Sequence, residues 1–338
     1  MTKVKVGING LGRIGRTILR EYFNRSEQEI EIVAVNNPGD KSSYVHLLKY
    51  DSVHGKFQGE VSLEGESLFM NGKKISFFSA KDPAEIPWSS LGVQVVIDAT
   101  GIFKDKKGLS LHMKNDSVKK VIMCAPGKDL DATFVMGINN NIYDSTKHHI
   151  ISNASCTTNC LAPVAKVIND NFGIENGFMT TVHSYTSDQL LLDGSHSDPR
   201  RARAASLSMV PTTTGAAKTV GEIIPELKGK LDGYSVRVPT PNVSLTDFTV
   251  NLKKEATKEE INAALKNASE TTLKGILRFE TDELVSVDYM GMRHSSCVDA
   301  SLTNVIGKNV KIVSWYDNEC GFSNRVLDLV KFIASKGL

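Results

Sequence analysis

Cys156 and Cys160 stand four residues apart in SNASCTTNC. A thiol does chemistry as the thiolate, and a free cysteine with a pKa of about 8.5 is only a few per cent ionised at neutral pH. The surroundings therefore matter. IISNASCTTNCLAPVAKVINDNF runs from an apolar strand through a polar cluster into a helix. That puts Cys156 at the turn, with Thr157, Thr158 and Asn159 in the first helical turn. The field of a helix N-terminus favours a thiolate there. Cys160 lies one turn deeper on the same face and reads as a buried core cysteine. His183 ends the β-branched strand of GFMTTVHSYTSDQ and stands among hydroxyls. A strand-end histidine is more often structural than catalytic. Beside a cysteine it becomes a candidate base, and as His⁺ it would lower the thiol pKa further.

Anion donors follow. MVPTTTGAAKTVGEIIPELKGK sets a hydroxyl cluster before a helix. SVRVPTPNVSLTDFTVNL carries Arg237 on an alternating strand, and DPRRARAAS has Arg200, Arg201 and Arg203 within four positions. The plain reading of that arginine run is a solvated charged face or a nucleic-acid patch. A dinucleotide, a thiol nucleophile and several anion donors together suit an enzyme acting on a small phosphorylated substrate.

The dinucleotide comes from the first half. KVKVGINGLGRIGRTILREYF opens with a short strand, passes through Gly10, Gly12 and Gly15 as G-x-G-x-x-G, and continues as a helix with Ile14, Ile18, Leu19 and Phe23. EIEIVAVNN returns as a second strand. In such a unit the glycines allow a tight turn, close approach of a pyrophosphate and close helix–strand packing. The pattern alone is weak; the strand–turn–helix–strand context strengthens it. VQVVIDATG and KKVIMCAPG are further buried-type strands, so a doubly wound parallel sheet is expected. FQGEVSLEGESLFMNGKKISFFS alternates and turns at Asn71-Gly72, which predicts hairpin strands inserted in that domain.

The elements must fit 338 residues, enough for about two domains. The chain is 41% hydrophobic and 23% charged, the composition of an ordinary globular protein. Forty Lys+Arg against 38 Asp+Glu leave +2, without the basic excess of a dedicated nucleic-acid binder. The five cysteines form no disulfide framework, and Cys156 and Cys160 have no second pair to complete a zinc site. A reducing cytoplasm is expected. No leader and no membrane span are read from the sequence.

The motifs GINGLGRIGR, LLKYDSVHG, SNASCTTNCLAP, TTVHSYTSDQ, RRARAAS, PTTTGAAK, RVPTPNVS and WYDNECGFSNRV cover both halves. In these and in their order the chain resembles the phosphorylating glyceraldehyde-3-phosphate dehydrogenases. The resemblance implies a Rossmann-type doubly wound parallel sheet over 1–155 with 319–338. An α+β catalytic domain with a mixed or antiparallel sheet would span 156–318, with an S-loop at about 184–208. Cys156 would be the nucleophile and His183 its base. Thr186 and Arg237 would hold the substrate's phosphate. Ser155, Thr157, Arg201, Thr214 and Gly215 would hold the attacking inorganic phosphate. Arg13 and Ile14 would line the pyrophosphate beside Gly10, Gly12 and Gly15, Cys124 would lie near the cofactor, and Asn318 would fix the nicotinamide. A homotetramer is implied, with the S-loop reaching towards a neighbour's cofactor. That gives the arginine run a use other than nucleic acid.

The departures gather at the adenosine. NAD-specific members have Asp where this chain has Asn37, and Leu-Pro where it has Gly194 and Ser195. A carboxylate holds the ribose hydroxyls of NAD and repels a 2′-phosphate. Asn37, the volume freed at Gly194 and the Ser195 hydroxyl suit NADP, alone or beside NAD, with Lys81 or Lys41 meeting the extra charge. Cys124 replaces a usual Ser or Thr, and Phe322 a common Tyr. Two rival readings stand beside this one. One is an erythrose-4-phosphate dehydrogenase, which does not keep PTTTGAAK. The other is a non-catalytic RNA-binding or surface-adhesion role on the same scaffold.

Overall fold

The computed structural model describes residues 3–25 and 29–338. The chain divides into two compact units. One comprises Met1–Phe134, Asn140–Ala154 and Ser323–Leu338, the other Val135–Asn139 and Ser155–Phe322.

In the first unit, β1 (Val4–Asn9) leads into α1 (Arg13–Asn24) and back into β2 (Ile30–Asn36). Ile18 and Leu19 on α1 are fully buried, as the apolar spacing requires. Next come α2 (Lys41–Lys49) and a small ribbon of β3 (Tyr50–Asp51) and β4 (Gly55–Lys56). The run β5 (Val61–Glu64), β6 (Ser67–Met70) and β7 (Lys73–Phe78) turns between β6 and β7 on Asn71 and Gly72. Their φ values of 48° and 75° are those of a tight hairpin turn. The remaining elements are β8 (Val95–Asp98), α3 (Lys106–Leu109), β9 (Lys120–Met123), β10 (Ala132–Thr133) and β11 (Ile150–Ser152).

The sheet order is β10-β11-β9-β8-β1-β2-β7-β6-β5. All neighbours are parallel except β5/β6 and β6/β7. The hairpin strands are inserted in this domain, as expected, and form one edge of its sheet. Strand β7 pairs with β2 in parallel, and β5 and β6 extend that edge. The chain moves outward from β1 to β2 and then returns to β8 on β1's other side. Such a reversal opens a crevice at the strand ends, where ligands of doubly wound sheets bind.

The second unit starts with α4 (Cys156–Phe172), followed by β12 (Ile174–Ser184), β13 (Val210–Thr213), α5 (Ala216–Ile223) and β14 (Leu231–Val238). After these come β15 (Ser244–Leu252), α6 (Lys258–Glu270), β16 (Leu277–Glu280), β17 (Ser296–Asp299), β18 (Asn304–Ile306) and β19 (Asn309–Tyr316). The last element, α7 (Cys320–Lys336), continues into the first unit. The mixed sheet runs β13-β14-β12-β15-β19-β17-β16, with β18 on β19. Strands β12 and β14 are parallel, whereas β12/β15 and β15/β19 are antiparallel. Strand β15 alternates buried and half-buried residues along its length, so one face of the sheet is covered and the other only partly. Helix α4 packs on β15, β17 and β19 and on helices α5 and α6.

The unit boundaries differ from the expected 155/156 and 318/319 division at three places. Ser155 goes with the second unit because it caps α4. Residues 319–322 also stay there: the Cys320 thiol reaches the Gly291 carbonyl, and Gly321 lies tight against the His294 carbonyl. Residues 135–139 join them, with Gly137 against Leu273 and Ile276.

Candidate active site

The helix that begins at Cys156 is capped one residue before it. Ser155 Oγ accepts the Thr158 N–H at 3.0 Å, and Cys156 is the first residue of α4. Cys156 Sγ lies 3.5 Å from His183 Nε2. His183 is in turn set by the sheet, because it pairs in register with Arg237 across the parallel strands β12 and β14. In-register neighbours on parallel strands point to the same face. Accordingly Arg237 Nη1 lies 2.9 Å from His183 Nδ1, 3.1 Å from the Ser184 carbonyl and 3.5 Å from Thr186 Oγ1.

The electrostatics correct one expectation. Burial pushes the Cys156 thiol up from its ordinary value, opposed by the Arg237 charge and by hydrogen bonds from Thr157. His183 is pushed down to about 3, first by burial and then by Arg237. A neutral imidazole cannot supply the positive charge expected of His⁺. The cation that favours the thiolate is Arg237.

Two expected phosphate ligands are otherwise engaged. Ser155 Oγ caps the helix and meets Thr158 Oγ1 at 2.7 Å. Thr157 Oγ1 bonds the Tyr316 hydroxyl at 2.8 Å, and that hydroxyl also meets Thr181 Oγ1 at 2.9 Å. Arg201 pairs with Asp188, and its Nε donates to Thr212 Oγ1 at 2.9 Å. Thr214 Oγ1 accepts the Ala216 N–H, and Gly215 precedes α5 with open space where a Cβ would stand. Asn318 is fixed within the same unit, its Oδ1 accepting from Ser244 Oγ, which also accepts the Ser184 N–H.

Three residues of this unit carry no signal of their own in the sequence. Tyr316 joins Thr157, the residue after Cys156, to Thr181, and its ring meets that of His183 edge-on at 5.8 Å. Asp188 and Thr212 position Arg201. Tyr316 closes the alternating strand of WYDNECGFSNRV, and Asp188 lies in TTVHSYTSDQ. The motifs are visible in the sequence but the pairings are not: Tyr316 meets Thr157 and Thr181 from 159 and 135 residues away, and Asp188 and Thr212 meet Arg201 from 13 and 11 residues away across a loop.

The glycine turn belongs to the first unit. Gly10 has φ +95°, and a Cβ there would stand 2.8 Å from the Thr100 nitrogen. At Gly15 a Cβ would stand 1.9 Å from the Gly10 carbonyl oxygen, which explains the close helix–strand packing. Gly12 is different: its φ is −66° and a Cβ would meet nothing within 4 Å. Among the described residues nothing demands glycine there, and the open space suits a pyrophosphate at the start of α1. Arg13, the first residue of α1, is held by both carboxylate oxygens of Asp51, with Ile14 following it. Burial pushes Asp51 up, but hydrogen bonds from the His54 N–H and from Arg13 outweigh it and bring it to about 2.

Asn36 and Asn37 have separate tasks. Asn36 is buried, bonding Asn9 Oδ1 and both backbone groups of Ala80. Asn9 continues to Asp98, and Asp98 to His112. Asn37 accepts the Leu11 N–H at 2.8 Å and donates to the Pro38 carbonyl at 2.7 Å. Lys81 is exposed next to Ala80, whereas Lys41 is paired with Glu66. Cys124 lies half-buried after β9, its thiol pushed well up by burial and by Asp98. Gly194 and Ser195 are exposed in the loop between β12 and β13. Among the described residues no helix is long and apolar enough to cross a membrane.

Comparison with known proteins agrees with this chemistry. Residues 4–106 match the family description "Glyceraldehyde 3-phosphate dehydrogenase, NAD binding domain". Residues 155–318 match "Glyceraldehyde 3-phosphate dehydrogenase, C-terminal domain". The chain is 56% identical over 336 residues to the glyceraldehyde-3-phosphate dehydrogenase of Geobacillus stearothermophilus, covering 99% of each chain. It is 55% identical over 335 residues to glyceraldehyde-3-phosphate dehydrogenase 1 of Bacillus cereus, again covering 99% of each. Neither rival reading gains support from these matches. On both halves and over nearly its whole length, the chain belongs to the glyceraldehyde-3-phosphate dehydrogenase family of oxidoreductases.

Proposed function

We propose that this protein oxidises glyceraldehyde 3-phosphate with inorganic phosphate to 1,3-bisphosphoglycerate, through a thioester on Cys156, and that it accepts NADP⁺ as well as NAD⁺. The observation that carries the reading is the line Cys156 Sγ, His183 and Arg237, with 3.5 Å and 2.9 Å between successive groups. Cys156 attacks the aldehyde carbon as its proton passes to His183 Nε2, and the carbonyl oxygen takes that proton to give a hemithioacetal. His183 then removes the hydroxyl proton as the carbon is oxidised. The bound dinucleotide supplies the hydride acceptor for that oxidation. The oxidation energy is kept in the acyl–sulfur bond, which inorganic phosphate cleaves, returning the thiolate.

Arg237 with Thr186 takes the substrate's phosphate, since the guanidinium is already against the base and a fork of donors suits phosphate oxygens. Arg201, Thr214 and the open N-terminus of α5 at Gly215 take the attacking phosphate. Ser155 and Thr157 contribute hydroxyls only by giving up the partners they now hold. Gly10, Gly12 and Gly15, with Arg13 and Ile14, carry the pyrophosphate, and Asn318 orients the nicotinamide amide.

Acceptance of NADP⁺ is supported by the absence of a carboxylate at Asn37 and by exposed Lys81. Lys41 is the weaker candidate for the extra charge because Glu66 already holds it. Gly194 and Ser195 add to this from a neighbouring subunit of a homotetramer. Initial rates with glyceraldehyde 3-phosphate test the whole reading. NAD(P)H should form only with phosphate present, erythrose 4-phosphate should be a poor substitute, and Cys156→Ser should abolish turnover. A hundredfold preference for NAD⁺ over NADP⁺ would overturn the cofactor part alone.

A further inference from the structure

Three adjacent strands of the first unit end on buried polar side chains. Asn9, Asn36 and Asp98 are the last residues of β1, β2 and β8, and Asn9 stands in register with both of the others. None of the three is more than 3% exposed. Apolar residues would join the strands without the cost of burying polar groups, so the polar choice needs a reason.

Their hydrogen bonds form one chain with a fixed direction. Trp88 Nε1 can only donate, and its acceptor is His112 Nδ1 at 3.1 Å. The imidazole proton is therefore on Nε2, which donates to Asp98 Oδ2 at 3.2 Å. From the other side, the Ala80 N–H donates to Asn36 Oδ1 at 2.9 Å and Asn36 Nδ2 donates to Asn9 Oδ1 at 2.8 Å. Asn9 Nδ2 in turn donates to Asp98 Oδ2 at 2.9 Å. Asn9 Nδ2 and His112 Nε2, 3.5 Å apart, are thus two donors side by side on one oxygen. Asp98 Oδ1 takes the Thr100 N–H at 3.2 Å and the Thr100 hydroxyl at 2.7 Å. Four uncharged donors converge on the carboxylate, the one side chain here that accepts without donating. An indole N–H and a backbone N–H fix the two ends. No amide can turn over without setting donor against donor.

This chain holds the backbone around the crevice at the strand ends. Asn36 bonds both backbone groups of Ala80, as a peptide group continuing the sheet would, and so fixes the residue before Lys81. The Asn36 carbonyl accepts the Gly10 N–H at 2.8 Å, and the Asn9 carbonyl accepts the Ala99 N–H at 2.8 Å. Thr100, held by Asp98, packs so closely on Gly10 that a Cβ there would stand 2.8 Å from its nitrogen. We infer that Asp98 and His112, with Asn9 and Asn36, are positioning residues for the dinucleotide: they set the glycine turn, the Ala80–Lys81 stretch and the Thr100 turn against one another. The inference rests on the reading that the dinucleotide lies on the glycine turn.

The test separates positioning from charge and from stability. Binding of NAD⁺ and NADP⁺ to the nucleotide-free protein is measured by calorimetry, at a temperature where each variant is shown to be folded. His112→Leu removes the donor to Asp98 and the acceptor for Trp88. Kd and KM for both cofactors should rise at least fivefold, while kcat and the KM for the aldehyde stay within twofold. His112→Gln offers one acceptor and one donor and should bring Kd back to within twofold of the wild type. Asp98→Asn keeps the volume, but in either orientation its amide faces other donors. Losing a negative charge would by itself tighten a pyrophosphate, so a fivefold rise in Kd here reports lost positioning. Unchanged or tighter binding by Asp98→Asn would overturn the inference. Equal weakening by His112→Leu and His112→Gln would also overturn it, since packing alone would then explain both. If His112→Leu does not fold, Asp98→Asn decides. Normal cofactor binding by Gly12→Ala would instead remove the reading of the glycine turn, and the inference with it.

Discussion

Asn37 makes two hydrogen bonds, and an aspartate in its place would keep only one of them. Its Oδ1 holds the Leu11 N–H of the glycine turn, a bond that an aspartate oxygen can make equally well. Its Nδ2 donates to the Pro38 carbonyl, a bond that aspartate loses. Asn37→Asp should therefore leave the turn intact while adding a charge where the proposed reading puts the adenosine ribose. Two like charges about 4 Å apart repel by up to about 4 kcal/mol at an effective dielectric of about 20, less with solvent screening. The NADP⁺ to NAD⁺ ratio of kcat/KM should fall at least tenfold, an effect of about 1.4 kcal/mol. An unchanged ratio would show that the side chain does not meet the ribose. The cysteines support a second prediction. Burial raises Cys160 to about 11 and Cys297 to about 12, and both are fully enclosed. Cys156 is half-buried, with Arg237 and Thr157 opposing the effect of burial. One equivalent of iodoacetamide should abolish activity and appear on Cys156 by mass spectrometry. Because its thiol is pushed up, the rate should climb as pH rises through the usual thiol range. Label shared evenly with Cys160 would contradict the assignment.

At the scale of elements, the sequence exposes what is local. The G-x-G-x-x-G turn, the Asn71-Gly72 hairpin and the helix entry at Cys156 are each written in a few adjacent residues, and each forms as expected. What escapes it is pairing between distant segments. That β7 joins β2 in parallel, that His183 stands in register with Arg237, and that Tyr316 supports Thr157 depend on strand order, which no window of sequence contains. The thiol's environment is misjudged from sequence for the same reason, since burial of His183 is a property of the sheet around it. Two of the turn's glycines can be separated experimentally. Gly15→Ala sets a Cβ 1.9 Å from the Gly10 carbonyl oxygen, and backbone on both sides leaves little room to move. Overpacking of this kind costs about 1–3 kcal/mol or more, so the melting temperature should drop by several degrees. Gly12→Ala meets no atom and needs no unusual φ, so stability should change by less than about 0.5 kcal/mol. Its cofactor affinity should nonetheless fall at least tenfold, because the added methyl would stand where the proposed reading puts the pyrophosphate. A Gly12→Ala protein that binds cofactor normally would show that the open space at this glycine is not where the pyrophosphate lies.

For the whole molecule, each unit explains its own chemistry, and the surface of the second carries a further message. Phe178 on β12 and Tyr234 on β14 are 70% and 53% exposed, on the sheet face that the helices do not cover. In the loop between β12 and β13, Leu191, Leu192 and Leu207 are 76%, 69% and 80% exposed, and Met209 is 75%. Single exposed apolar residues are ordinary, but a sheet face and a long loop that both present large ones are the mark of an association surface. A homotetramer would cover them and bring the Gly194–Ser195 stretch to a neighbour's adenosine. Sedimentation of the wild type should thus give about four times the 36.9 kDa chain mass. Phe178→Asp puts a charge at the middle of the exposed face without touching the core, so the chain should stay folded while the assembly dissociates. If Ser195 acts across subunits, the dissociated variant should also lose affinity for NADP⁺ more than for NAD⁺. A wild type that sediments as a monomer would remove the intersubunit part of the cofactor argument and leave Asn37 and Lys81 to carry it. A variant that dissociates with its cofactor ratio unchanged would do the same.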